Sequence, residues 1–193
     1  TIEYFQNEGW YGGKGMVYYD NGDMIKEYDL SNYSGDSKVT SIVSISSGEA
    51  WIGTLRGLFK IKGKTITKAK NHGQLPSNVI KSLLPDKDQN LWVGTDKGLY
   101  NYNGNKFTQI KSSSDSENQI EDQKVYSIGL TDDRKYFIGT FGSGLFFYDP
   151  YTFRNLDEND GFKGTTVRAV TKVENDKIWV GTDKGLALLK GEK

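Results

Sequence analysis

Apolar residues in this chain come in short runs separated by clusters of Gly, Asn, Asp and Ser, and no run sustains a helical period. Residues 78–110 show the unit most clearly. A β-prone stretch at 78–84 ends at Pro85, and polar residues follow at 86–90. The segments 91–95 and 99–102 read as two more strands joined by the turn Asp96-Lys97-Gly98. Asn103-Gly104-Asn105 is a strong hairpin signal, and 106–110 closes a fourth strand. The pattern predicts a four-stranded antiparallel meander.

That unit recurs. The octet W-V-G-T-D-K-G-L stands at 92–99 and again, letter for letter, at 179–186. Close variants lie at 51–58 and 137–145, and a shortened form opens the chain at 10–16. The leading aromatics Trp10, Trp51, Trp92, Phe137 and Trp179 therefore recur every 41 to 45 residues. A period of that size is the mark of one supersecondary unit repeated, here five times.

The third strand of each copy is apolar on both sides of the pleat: Leu99, Tyr100 and Tyr102 in one, Leu145, Phe146, Phe147 and Tyr148 in the next. An antiparallel sheet with one wet face would alternate, so each sheet is expected to be covered on both faces. Radial stacking of blades does this. Gly53, Gly94, Gly139 and Gly181 fall two residues after the leader and share its face. Glycine inside a strand marks a close approach, and the expectation is that each aromatic leader packs across a blade interface at that gap. Aliphatic pairs twelve and nine residues before the leader, Val39/Ile42, Ile80/Leu83, Val125/Ile128 and Val167/Val170, mark the innermost strands. The fold class is all-β, a β-propeller of five four-stranded antiparallel blades, with the last lacking its outer strand. The blades are placed at about 1–30, 39–68, 78–110, 124–156 and 166–190, in a single domain or segment spanning 1–193.

Size and composition narrow the function classes. The 193 residues carry 25 basic and 25 acidic side chains, giving no electrostatic bias toward nucleic acid. No apolar run approaches the roughly 20 residues that span a bilayer, so direct membrane insertion is not expected. There is no cysteine, which excludes thiol catalysis, disulfides and cysteine metal sites.

The stretch at 75–102, L-P-S-N-V-I-K-S-L-L-P-D-K-D-Q-N-L-W-V-G-T-D-K-G-L-Y-N-Y, resembles the two-component regulator propeller repeat. The likeness extends over five copies, and departs from the pattern in the first, which lacks the Thr after its glycine. The resemblance implies the sensor region of a bacterial two-component regulator, often a hybrid histidine kinase, on the periplasmic or extracellular side of the membrane. It implies ligand recognition, frequently of a carbohydrate fragment. The first copy starts partway through its inner strand and the fifth ends after its third, which predicts an open segment of a larger propeller, seven-bladed by resemblance. A five-bladed ring with an imperfect seam is the alternative. Open ends would expose apolar blade faces to other blades or to a second copy.

The search for chemistry is short. Asp86-Lys87-Asp88-Gln89-Asn90 has the opening spacing of a calcium loop, but Leu91 replaces the required Gly and Lys97 the terminal Glu. One histidine without cysteine makes a poor zinc site, so neither a metal nor another cofactor is expected. Gly12-Gly13-Lys14-Gly15 lacks the first glycine and the Ser/Thr of a phosphate loop and reads as a repeat turn. His72, the sole histidine, lies in a loop and reads as a surface residue. A glycosidase would need paired carboxylates on inner strands, whereas Asp86, Asp132, Asp133 and Glu174 fall in turns. The chain is expected not to be an enzyme.

Antiparallel alternation places the turns between second and third strands on the same rim as the connections between blades. There 31–38, 69–77, 111–123 and 157–164 meet turns such as Leu55-Arg56 and Phe141-Gly142-Ser143. Binding on a repetitive scaffold resides in such loops. Tyr33, Arg56, Asn71, His72, Phe141 and Phe162 are the rim residues suited to a small polar ligand such as an oligosaccharide. The segment 111–124, rich in Ser, Glu and Asp, is expected to be mobile. The competing function is a protein-interaction scaffold with no small-molecule site.

Overall fold

The computed structural model describes all residues except 113–118, 133–134, 150–151, 157–161, 174–176 and 191–193. Five antiparallel sheets follow one another in chain order. The first holds β1 (Ile2–Phe5), β2 (Glu8–Gly12), β3 (Met16–Asp20) and β4 (Ile25–Asp29). The second holds β5 (Val39–Ser46), β6 (Glu49–Thr54), β7 (Gly57–Lys62) and β8 (Thr65–Lys68). The third holds β9 (Ile80–Pro85), β10 (Leu91–Thr95), β11 (Leu99–Tyr102) and β12 (Phe107–Gln109). The fourth holds β13 (Val125–Leu130), β14 (Tyr136–Thr140), β15 (Leu145–Tyr148) and β16 (Phe153–Leu156). Among the described residues the fifth has three strands, β17 (Val167–Lys172), β18 (Lys177–Thr182) and β19 (Gly185–Lys190). Each sheet is a meander with neighbouring strands in sequence order, as the repeat predicts.

The Thr of the repeated motif is a hairpin clasp. Thr54 Oγ1 donates to the Gly57 carbonyl at 3.0 Å and accepts the Arg56 N–H at 3.0 Å. Thr95 does the same with Gly98 and Lys97, and Thr182 with Gly185 and Lys184. Thr140 donates to Gly144 across the longer turn. The receiving glycines sit at positive φ, from 73° at Gly144 to 143° at Gly57, where a side chain would be strained. Thr and Gly at that spacing close one turn.

The chain divides into two compact units, Thr1–Val93 with Asn101–Thr108 and Gly94–Tyr100 with Gln109–Lys193, the division running through the third sheet. In the first unit, Trp10, Val17, Tyr19 and Tyr28 of sheet one pack with Val39, Ile42, Ile52, Phe59 and Ile61 of sheet two. The Trp51 ring meets Tyr102 of sheet three edge-on at 5.6 Å. In the second unit, Phe137, Leu145 and Phe147 pack with Val167, Ile178 and Val180. Leu99, Leu145 and Phe146 are fully buried, which accounts for third strands that are apolar on both faces.

These aromatic leaders lie between sheets, as expected, but they do not fill the glycine gap. A Cβ on Gly12 would lie 2.5 Å from Val39 Cγ1, and one on Gly53 would lie 2.7 Å from Ile80 Cγ2. At Gly139 it would overlap Val167 Cγ1. Each gap receives the first aliphatic of the next sheet's leading strand. The reason is steric: a β-branched side chain reaches the bare backbone, while the ring needs the wider space beside it. Hydrogen bonds reinforce the same seams. Thr40 Oγ1 donates to the Ile80 carbonyl at 2.7 Å, and Tyr28 Oη to the Gly63 carbonyl at 2.7 Å.

In the segment expected to be mobile, 113–118 lie outside the described residues. The flanking Ile120–Asp122 instead form a 3-10 turn with Ile120 fully buried.

Candidate functional site

Within each unit the second-to-third-strand turns and the inter-sheet linkers carry one exposed aromatic–cation cluster among the described residues. In the first unit a short helix at Ser31–Ser34 raises Tyr33, half of whose surface is free and whose ring meets Phe59 edge-on at 6.2 Å. Arg56, held in its turn by the Thr54 clasp, lays its guanidinium over Gly35, so that a Cβ there would be 3.0 Å from a terminal nitrogen. Lys14 and Asp36 form an exposed pair at 3.5 Å beside them. The cluster offers a ring face on the linker and a planar donor fork reaching over it from the turn, the chemistry that recognises hydroxyls and carboxylates.

In the second unit Phe141 is exposed. Lys124 Nζ lies 5.4 Å from its centroid and Tyr126 meets it edge-on at 5.8 Å. The Phe141 N–H donates to the Lys124 carbonyl at 3.0 Å, and Phe141 bridges to Thr166. Backbone pairing on both sides fixes where the ring emerges, and an exposed apolar ring face is a stacking platform.

The remaining sequence candidates separate. Asn71, in left-handed conformation at φ 53°, donates from Nδ2 to the Asn105 carbonyl at 2.7 Å and braces the neighbouring hairpin. His72 is not a surface residue, nor is Phe162: they are only 6% and 2% exposed. Phe162 packs into the second unit's core, 3.3 Å from where a Cβ on Gly144 would stand. His72 covers the second sheet's turn, with Nε2 2.8 Å from a Cβ built on Gly57. A bare glycine beneath each linker lets a large side chain settle there, so both act as plugs and neither presents itself to a ligand.

Neither His72 nitrogen has a hydrogen-bond partner among the described residues. Burial, with the Lys68 ammonium as a smaller cause, holds the imidazole below its ordinary pKa. The unfolded chain therefore takes up this proton first as pH falls. The neutral plug's contribution is complete above about pH 6.5 and declines below it, until the folded-state pKa is passed. Urea midpoints are expected to fall between pH 7 and pH 5 for the parent more than for His72→Leu. Equal falls would show that the imidazole is not the titrating group.

Carboxylates give one feature the sequence reading missed. Glu3 lies on β1, half-buried, and burial raises its pKa despite a hydrogen bond with the Ser44 backbone. No other carboxylate stands on the first strand of any sheet. Asp86 Oδ1 accepts the N–H groups of Asp88 and Asn90, so the calcium-like spacing is a capped turn. Asp132 pairs with Lys172, while Asp133 and Glu174 lie outside the described residues.

Residues 74–97, which run from a linker through β9 and β10 into the Thr95 clasp, match the family model described as two component regulator propeller. This stretch is similar to a regulator-propeller repeat. No curated protein matches the chain. Among solved structures it resembles the extracellular domain of the putative hybrid two component system BT3049 of B. thetaiotaomicron, at 22% identity and TM-score 0.76. That likeness covers 99% of this chain and 26% of the other, so the chain spans about a quarter of that domain. The WD40 propeller of Doa1 superposes with TM-score 0.72 at 11% identity, covering 100% of this chain and 63% of that one. Virginiamycin B lyase of Staphylococcus aureus does so with TM-score 0.69 at 15% identity, covering 100% and 69%. The shared property is the propeller fold, which recurs in proteins as unlike as a two component system and a lyase.

Proposed function

We propose that this chain is part of the non-catalytic sensory propeller of a bacterial two-component regulator, facing the periplasm or the outside of the cell. It recognises a small polar ligand, an oligosaccharide in this reading, at the loop rim. Phe141 with Lys124 is the candidate contact surface of the second unit, and Tyr33, Arg56 and Asn71 are the separate candidates of the first. The single observation that carries the ligand reading is Phe141, an apolar ring pinned in solvent between Lys124 and Tyr126. Two observations support a non-catalytic role. The only histidine is buried as a plug. A glycosidase's two opposed carboxylates are not supplied by a lone Glu3. Bound ligand would bias the array only by its differential affinity for two arrangements.

A thermal-shift screen against a panel of plant and host oligosaccharides tests this. A true ligand at a hundred times its Kd adds about 2.7 kcal/mol, seen as a raised midpoint that Phe141→Ala removes. Flat curves across the panel would favour the scaffold reading, in which the rim and blade faces bind protein alone.

A further inference from the structure

Charge is spread unevenly along a chain whose acids and bases balance. From Ala50 to Pro85 there are seven lysine and arginine residues and no aspartate or glutamate. Most of them belong to sheet two, and Lys64, Lys68 and Lys70 gather around its outer strand β8. All three are exposed, and none forms an ion pair among the described residues. The one acid of this sheet, Glu49, is taken up by Lys60 and Lys62, at 2.5 and 3.0 Å. The matching edges of other sheets differ. β4 carries Glu27 and Asp29 beside Lys26, β12 has no charged residue, and β16 has Arg154 alone.

β8 is also an open edge. It pairs with β7 alone, in the register Lys62–Thr65, Lys60–Thr67 and Phe59–Lys68. One residue further on, the Ala69 N–H donates to the Leu58 carbonyl at 2.9 Å, which fixes the phase of the ladder. In an antiparallel pair every second residue turns its N–H and C=O toward the partner. Thr65 and Thr67 therefore point theirs at β7, and Ile66 and Lys68 point theirs outward.

An edge of this kind invites further strands, and lysine guards it by repelling another edge of like charge. The same lysines draw in a strand of opposite charge. We propose that β8 takes up an extended acidic peptide of a partner protein as one further strand of sheet two, its backbone paired with Ile66 and Lys68 and its carboxylates set among Lys64, Lys68 and Lys70. In this mode backbone pairing supplies affinity and the side chains choose the partner. Lys64 and Lys68 stand about 13 Å apart along an extended chain, so carboxylates at the same spacing meet both. An anionic bilayer fits the place less well. Tyr28 of β4 donates to the Gly63 carbonyl, beside Lys64, so a flat surface laid on β8 would press against Glu27 and Asp29 as well. Single-stranded nucleic acid would need rings to stack on, and β8 has none. The inference does not depend on what binds the loop rim.

Fluorescence anisotropy with the full chain and a labelled peptide of Val-Glu repeats, at low ionic strength, tests this. The same peptide N-methylated throughout keeps its carboxylates and loses every N–H donor, so it is expected to bind about tenfold more weakly or worse. A peptide of Val-Lys repeats is expected not to bind. Lys64→Gln, Lys68→Gln and Lys70→Gln combined should leave Tm unchanged, the three side chains being exposed, and weaken the acidic peptide about tenfold. Phe141→Ala should leave its affinity unchanged. Equal affinity of the N-methylated peptide would overturn the proposal in favour of a polyanion, such as an acidic polysaccharide, held by charge alone. Binding that survives the three lysine substitutions, or no binding of the acidic peptide, would overturn it outright.

Discussion

Gly53→Val is expected to lower the melting temperature by roughly 6–12 °C, while Gly181→Val leaves it nearly unchanged. Both glycines sit mid-strand two residues after a tryptophan, and valine is the better strand former at either place. At Gly53 the new Cβ would lie 2.7 Å from Ile80 Cγ2 and 3.4 Å from Leu83 Cδ1, inside a packed seam. Overpacking of that kind costs about 3 kcal/mol at the upper end of its usual range. At Gly181 the nearest atom is at ordinary contact distance, and the strand gains propensity without a clash. Differential scanning calorimetry of the two variants reads the contrast. Equal losses would mean that strand entropy, and not the neighbouring sheet, dictates glycine here.

The second large effect concerns the ring beside the gap. Trp10 is fully buried, tilted against Tyr19 at 4.6 Å and stacked on Tyr28 at 6.0 Å. Trp10→Ala is expected to cost about 3–5 kcal/mol, since the surrounding sheets close only part of the cavity. Trp10→Phe should lose far less. Phe137 fills the matching place in the fourth sheet, and Trp10 Nε1 has no acceptor among the described residues, so its N–H contributes nothing that phenylalanine lacks. Denaturant titration separates the two. A Phe variant as damaged as the Ala variant would point to a partner for the indole nitrogen.

The strands were legible because the evidence for them is local. Turn residues, alternation and a recurring octet place β9 to β12 within about two residues of where they lie. The occupant of each glycine gap was not legible, because it enters from a sheet 27 or 28 residues further on. Periodicity gives the repeat but not the offset between stacked sheets. The aliphatic pairs preceding each leader were the available signal, being as regular as the aromatics. His72 and Phe162 were misread for a related reason. A polar or aromatic residue in a linker looks exposed until one knows that the turn beneath it is bare glycine. Glu3 was overlooked because β1, at four residues, is too short for its alternation to announce a strand. Tyr33 and Phe141 were read as exposed, as they are, because a large ring in a turn-rich segment has no local excuse for being there.

The Thr–Gly clasp has an evolutionary corollary. It closes each hairpin through one hydroxyl and backbone groups alone, so the side chains between its two ends, Leu55-Arg56, Asp96-Lys97 and Asp183-Lys184, take no part in the closure. Leu55-Arg56 is thereby left free to drift, or to be grafted in the laboratory, whereas Asp183 is already put to use, its carboxylate accepting the Thr165 and Thr166 N–H groups of the preceding linker. A rim built this way acquires a new specificity one hairpin at a time.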